Sequence, residues 1–412
     1  MTTLQNDVLA TPGASGTLVS RARVRLGATF AVHAVVDFFS FVVVALLPVL
    51  RGRLDLTDGQ IALAIATGSI ASGVVQPLVA WASDRLHTRI IGTISFAVAV
   101  VAIALVPRAG SFAGLLALHA IGAAGIGAFH PVAAAAVGHL SGSKRSLGVA
   151  LFYLAGMIGG TLGSYLSPAF VGAFGLGALG YLAAPGLAFA GALGLAIHAV
   201  PHRHDGARRE HDALPPAQRR DRWRTVWLLY AANVVRFTVN MALVHLIVLW
   251  SEREALRRAG ATVFTRELEA RASMLNGPMQ ASMQVGMGAA GIAAGLLLRG
   301  RGERRAMILA PLLGASSMAL LPHLGAWAWT MGIVAGVGFG GLVPVTISMA
   351  QRLLPHRTSL ASGLMMGGAW ALAFTGPPLG QALVNAWGLD AAFAVVGSFL
   401  LASSVLAWRL PR

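Results

Sequence analysis

Apolar residues in this chain gather into twelve long runs separated by short polar breaks. The runs cover roughly 25–50, 57–82, 90–107, 111–139, 147–172, 176–200, 223–250, 272–298, 306–322, 326–352, 359–386 and 389–409. A helix of about 20 apolar residues crosses a hydrocarbon core of about 30 Å, so each run predicts one span. Period-two alternation is absent, which argues against a β-barrel. The expected fold class is all-α: a polytopic membrane protein with twelve transmembrane helices. Residues 1–20 are polar and lack a basic-then-apolar signal pattern, so the first span is expected to act as the insertion signal.

Residues 201–222 interrupt the pattern in the middle and carry Arg203, Arg208, Arg209, Pro215, Pro216, Arg219 and Arg220. The expected organisation is a six-helix bundle over 1–200, a cytoplasmic linker over 201–222 and a second six-helix bundle over 223–412. Histidines 198, 202, 204 and 211 open the linker and read as part of a solvated basic segment rather than a metal site. The two bundles repeat. A shift of 199 aligns Arg25, Val35, Val36, Asp37 and Phe38 with Arg224, Val234, Val235, Arg236 and Phe237; a shift of 213 aligns Gly125, Gly127, Pro131 and Val132 with Gly338, Gly340, Pro344 and Val345. Spans 1 and 7 then correspond, as do 4 and 10. Internal repetition of this kind marks transporters, whose sites lie between the repeats.

Composition narrows the reading. The chain is 56% hydrophobic and 11% charged, with mean hydropathy +0.71, too little charge for a soluble surface of this size. It has no cysteine, which removes disulfides, thiolate metal sites and cysteine nucleophiles. The net charge of +16 is unevenly spread. With the amino terminus inside, inner segments hold 21 Lys and Arg and outer loops 8, while acids divide evenly. That is the positive-inside pattern, placing both termini in the cytoplasm. The excess charge orients the chain and meets anionic lipid; nucleic acid is not an expected partner.

Against this background, ionisable residues inside spans stand out, because charge at bilayer depth is costly and usually functional. Asp37 is the one carboxylate within a span, and Arg236 the one basic residue deep inside one. Each lies twelve residues, about 18 Å of helix, from the arginine anchoring its span. Mirrored positions suggest that both face one central chamber. A static pair locking spans 1 and 7 is the plainer alternative. His33 lies one turn before Asp37 on the same helix face and is expected to tune or share its proton. His130 precedes Pro131 at an expected bend of span 4, and His119 reads as packing. Arg236 with Asn240 makes a donor cluster for an anionic group; Gln76, Gln280 and Gln284 are further candidate substrate contacts, or simple interhelical hydrogen bonds. Gly156, Gly159, Gly160 and Gly163 in span 5, and Gly336 and Gly340 in span 10, suit close helix packing. In the loop 251–272, Glu254–Arg258 and Glu267–Arg271 are spaced as helical ion pairs on a solvated extension.

Asp84, Arg85 and Arg89 follow span 2. Together with twelve spans and a central linker, they resemble the major facilitator superfamily, whose Gly-x-x-x-Asp-Arg-x-Gly-Arg-Arg loop they match in part. Within it the chain is similar to the fosmidomycin-resistance type, through His33-x-x-x-Asp37 with Leu47-Pro48, Gln76-Pro77, and Gly125-Ile-Gly-Ala-Phe-His130-Pro131. Gln351-Arg-Leu-Leu-Pro355 and Ser362-Gly363-Leu364 extend the match. That group often has Glu after the His-Pro pair; Val132 stands here, leaving Asp37 as the coupling carboxylate.

The resemblance implies a proton-driven transporter of the bacterial inner membrane, with spans 1, 4, 7 and 10 around the cavity. The Asp84 loop would brace one side near Arg357 and Ser359, and Pro131 and Pro344 would serve gating. The expected function is proton-coupled antiport exporting a small organic, anionic compound. Proton-coupled uptake of an organic anion, and a non-transporting scaffold or receptor, are the alternatives. No enzyme chemistry, catalytic residue, metal or cofactor beyond the proton gradient is expected, and the working unit is expected to be a monomer.

Overall fold

The computed structural model describes residues 14–83, 89–197, 214–298 and 302–411. Every regular element among them is helical. Ten segments are long and apolar enough to cross a membrane. Span 8 (Arg266–Leu297) is as long, but buries Ser273, Asn276, Gln280, Ser282 and Gln284 along its length. Span 11 occupies 358–387 and is broken, with a π-turn at Leu364–Gly368 and a 3-10 turn at Ala373–Thr375.

The polar breaks place the ends of the helices differently from the expectation. Span 7 is one helix, Pro216–Ala259, of 44 residues. At 1.5 Å per residue that is about 66 Å, so it projects beyond a bilayer at both ends. Proline at its start fixes φ where no N–H is needed, and Gly260 in the left-handed conformation closes it. Residues 216–222, expected in the linker, are therefore helix, and 251–259 continue the helix as an extension of span 7. Glu254–Arg258 and Glu267–Arg271 do pair, each at 2.7 Å. The extension is not solvated all round, however: Ser251, Glu252, Glu254 and Ala255 are buried.

Spans 5 and 8, and spans 2 and 11, form the main seams between the first six spans and the last six. Small residues let them close. Gly277 of span 8 lies against Ser164 O of span 5, and Gly73 of span 2 against the Ala371 backbone of span 11. Two side chains stitch the seams through carbonyls that proline frees. Pro48 has no N–H for Val44 O, and Asn276 Nδ2 donates to that oxygen at 2.8 Å. Pro344 likewise takes the usual i+4 donor from Gly340 O, which accepts instead from Val343 N at 3.1 Å and from Tyr153 Oη at 3.0 Å. The repeat-related prolines thus behave differently: Pro131 sits within the unbroken helix Phe112–Leu140, whereas Pro344 starts a new helix, Val343–Leu353, after the break that follows Ala328–Phe339.

The glycine run of span 5 is a packing device. A Cβ on Gly159 or Gly163 would overlap Ala34 O or Phe38 O of span 1, while one on Gly172 would meet nothing. Gly159→Ala is therefore expected to cost about 1–3 kcal/mol through overpacking, lowering the thermal midpoint of the purified protein, with Gly172→Ala as the neutral control. Equal midpoints for the two variants would show that spans 1 and 5 separate without cost.

Candidate functional site

Span 1 carries His33 and Asp37 one helical turn apart, and span 4 (Phe112–Leu140) brings His130 to the same point. His33 Nε2 lies 3.4 Å from Asp37 Oδ2, His130 Nε2 lies 3.3 Å from Asp37 Oδ1, and the two Nε2 atoms are 3.3 Å apart. The other ring nitrogens are committed. His33 Nδ1 donates to Phe152 O at 2.7 Å and His130 Nδ1 to Ile126 O at 2.8 Å. A carbonyl oxygen only accepts, so each Nδ1 carries its hydrogen and each Nε2 of a neutral ring is a bare lone pair. Two lone pairs and a carboxylate facing one another at this distance repel unless a cation sits among them. One proton, making either ring an imidazolium, satisfies all three.

The surroundings fix this geometry. His33 stacks on Phe152 with ring centroids 3.7 Å apart and meets His130 edge-on at 5.1 Å. Gly156 of span 5 backs the cluster, and a methyl there would overlap both the Asp37 carboxylate and the His33 ring. The cluster forms one wall of a cavity of about 150 Å³, enough for a compound of about benzene size. Gln76, Asn240 and Gln284 line it too, with Phe41, Met157, Phe237, Met241 and Trp370 supplying apolar surface. Gln284 Oε1 is buried without a partner.

Two expected contacts lie elsewhere. Gln280, one turn from Gln284, gives its amide to Val244 O at 3.0 Å and Asn276 Oδ1 at 3.1 Å, so it ties span 8 to span 7 and is not part of the wall. Arg236 is fully buried but neither pairs with Asp37 nor lines the cavity. Its Nη2 donates to Asn233 Oδ1, one turn earlier, rather than joining Asn240. Asn233 is itself held by Thr346 and Met365 O of spans 10 and 11, which draws the guanidinium toward those spans. Arg236 Nε and Nη1 have no partner. Tyr153, on the cavity wall, is within electrostatic reach of both Arg236 and Asp37. Pro131 is buried directly after His130. Asp84 and Arg85 lie outside the described residues, as do the linker histidines. Arg89 opens the helix Arg89–Leu105, but its side chain is outside the description, and so is the expected brace to Ser359.

Sequence reasoning missed several residues. His119, read as packing, is buried and lines the cavity beside Gly68. At the end of the bundle away from the start of span 1, Arg51 Nη2 pairs with Asp58 at 2.6 Å and Arg51 Nη1 with Glu252 at 2.5 Å. This second pair joins span 1 to span 7 across the two halves. Its signal was present in the charges of Arg51 and Glu252 but required knowing that span 7 runs on past residue 250. Val44 lies on the cavity wall below it. With no native cysteine, Val44→Cys reports access. Glu252→Gln leaves Arg51 paired with Asp58, and is expected to speed labelling of Cys at 44 by a polar thiol reagent several-fold. An unchanged rate would show that the pair does not seal this end.

Comparison with known proteins agrees with the fold. Residues 29–265 match the family model described as Major Facilitator Superfamily. The fosmidomycin resistance protein of Escherichia coli (strain K12) is 22% identical over 356 residues, covering 85% of this chain and 84% of that protein. Among solved structures, a bacterial homologue of the human lysosomal transporter Spinster, inward-facing and unoccupied, superposes with TM-score 0.65 at 15% identity, covering 94% of this chain and 95% of that one. The human organic anion transporter MFSD10 (TETRAN) gives 0.63 at 20% identity, with 94% and 99% covered. The nucleoside transporter NupG gives 0.66 at 10% identity, with 95% and 100% covered. With more than half of its length matched by the family model, the chain belongs to the major facilitator superfamily and is a multi-pass secondary transporter, not an enzyme.

Proposed function

We propose that this chain is a proton-coupled antiporter that exports a small organic compound by alternating access, with the proton held among His33, Asp37 and His130. The observation that carries the reading is the triangle of two bare imidazole nitrogens and a carboxylate on the cavity wall, which needs one cation to be stable. A proton bound there makes the cluster neutral overall; its loss leaves one negative charge. A change of that size inside a low-dielectric chamber biases which conformation is favoured. Competition follows from shared space: a substrate donor group resting on Asp37 takes the place of the proton.

The first six spans and the last six are the moving bodies, and span 7 opens the second of them at Pro216. The distribution of Lys and Arg puts both termini in the cytoplasm of a bacterial cell and the Arg51–Glu252 pair on the outer face. Export is favoured by the resistance in the name of the Escherichia coli relative, since a transporter lowers sensitivity by removing a compound. Arg236 supports an anionic group on the substrate only in a conformation that opens its two unpaired, buried nitrogens to the chamber, because it stands off the cavity wall here. The same charge supports a second reading, symport of the anion with its proton, since a protonated cluster and Arg236 attract it together.

Both are tested in proteoliposomes with a phosphonate or carboxylate selected because it raises the protein's thermal stability. Antiport moves substrate against an imposed proton flow and symport moves it along. Asp37→Asn is expected to lower gradient-driven transport by about 10- to 100-fold while the protein stays monodisperse; full gradient-driven activity would sink the proton assignment. Arg236→Gln is expected to raise the half-saturating concentration of an anionic substrate about tenfold and leave a neutral analogue unaffected. Equal effects on both would remove the anion.

A further inference from the structure

We propose that His33, Asp37 and His130 also form a binding site for one divalent transition-metal ion of the zinc class, which occupies the seat of the proton. Zinc bound by histidine and carboxylate has bonds of about 2.0–2.2 Å, and tetrahedral angles then separate neighbouring ligand atoms by about 3.3–3.5 Å. The cluster comes close to this arrangement: 3.3 Å separates the two nitrogens, His130 Nε2 is 3.3 Å from Asp37 Oδ1, and His33 Nε2 is 3.4 Å from the other carboxylate oxygen, Oδ2. All three ligands lie close enough together to hold one ion, which takes either carboxylate oxygen or both.

The outer contacts match as well. Histidine ligands of metals usually donate their second ring nitrogen to a carbonyl or carboxylate, which fixes the tautomer and aims the lone pair. Here Phe152 O and Ile126 O do this for both rings before any ion arrives. Two imidazoles and one carboxylate select zinc, cobalt or nickel over magnesium and calcium, which take six or more oxygens. Three protein ligands leave the fourth position toward the cavity, where water or an oxygen of the transported compound completes the sphere. The cluster is buried but reached from the cavity: the side chains of Asp37 and His130 are 9% and 12% exposed. A divalent ion leaves the cluster at +1, where a single proton leaves it neutral.

Binding rests on geometry alone; inhibition by the metal rests also on the proton reading above. The test uses the full chain, purified in detergent after chelator treatment. Cobalt(II) is the optical probe, since a tetrahedral site gives it strong visible absorption, and equilibrium dialysis with zinc gives stoichiometry and affinity. The linker histidines 202, 204 and 211 are a competing source of binding, so a variant with all three changed to Ala is measured in parallel. The expected result is one tetrahedral cobalt ion in wild type and in the linker variant. In His130→Gln and Asp37→Asn the affinity falls by more than about 100-fold, beyond the usual loss for an outer contact.

Metal-free thermal midpoints check that these variants are folded. If His130→Gln does not fold, His33→Gln and Asp37→Asn decide the matter. Absence of the tetrahedral spectrum in wild type, its loss in the linker variant, or its persistence in Asp37→Asn overturns the site. Zinc inhibition of wild-type gradient-driven transport that a chelator reverses and that weakens as protons compete at lower pH extends the result to function. Tight metal binding with gradient-driven transport unharmed in Asp37→Asn leaves the metal site standing and removes the proton reading.

Discussion

Two imidazoles aim unprotonated nitrogens at one buried carboxylate, and the rest of the interior is arranged around making that tolerable. Neither ring can turn away, because each has spent its other nitrogen on a main-chain oxygen. The His33 bond to Phe152 O ties span 1 to span 5, and that approach is possible only because Gly156, Gly159 and Gly163 let the two backbones touch. The small residues of span 5 and the chemistry of Asp37 are one constraint. A side chain at 156 would remove the cluster, and a looser span 5 would release His33 to choose another partner. On the proposed reading, the cation that relieves the triangle comes from outside the protein, through the aqueous chamber.

The seams between the halves follow a second rule, set by proline. Within hydrocarbon, a carbonyl without a donor is costly, and each proline inside a span creates one four residues earlier. Asn276 reaches across from the opposite half to satisfy Val44 O, and Tyr153 adds a second donor to Gly340 O, which also accepts from Val343 N. Interhelical hydrogen bonds of this kind contribute only about 0.6–2 kcal/mol each. They hold the halves in register without welding them, and water entering a cleft replaces them readily. The Arg51–Glu252 pair is similar in character: Arg51 keeps Asp58 when Glu252 leaves, so separation strands one carboxylate and no guanidinium.

The helical spans and the His33–Asp37 pair were legible in the sequence because each depends on local spacing: run length, one helical turn. His130 was legible as a cavity residue from its place before Pro131. What local spacing could not show was competition between partners. Arg236 was expected to mirror Asp37, but Asn233 stands one turn before it and is anchored by two other spans, so the guanidinium follows the nearer acceptor. Gln280 and Gln284 share a face by spacing, yet Val244 O claims one and leaves the other at the cavity. Glu254 read as a solvated acid on an extension of span 7, because charged side chains ordinarily face water. Helix propagation through 251–259 costs little once the chain has left the membrane, and it carried Glu252 and Glu254 onto a buried surface.

The asymmetry between the halves bears on how coupling works. The first half holds the cluster proposed to exchange a cation, and the second holds the buried guanidinium of Arg236. If the two had paired, each would have neutralised the other and the chamber would carry no net signal. Because they do not, Asp37 is free to be balanced by a proton, a metal or a substrate donor, and Arg236 is free to be balanced by an anion. Charge alone would then favour taking up proton and anion together. Space argues the other way. The chamber of about 150 Å³ has the cluster as one of its walls and Arg236 outside them, so a compound seated there lies beside Asp37 rather than the guanidinium. Direction is thus decided by whether the transported molecule places a donor on that carboxylate, which makes the size and donor pattern of the substrate, rather than its charge, the quantity that sets antiport against symport.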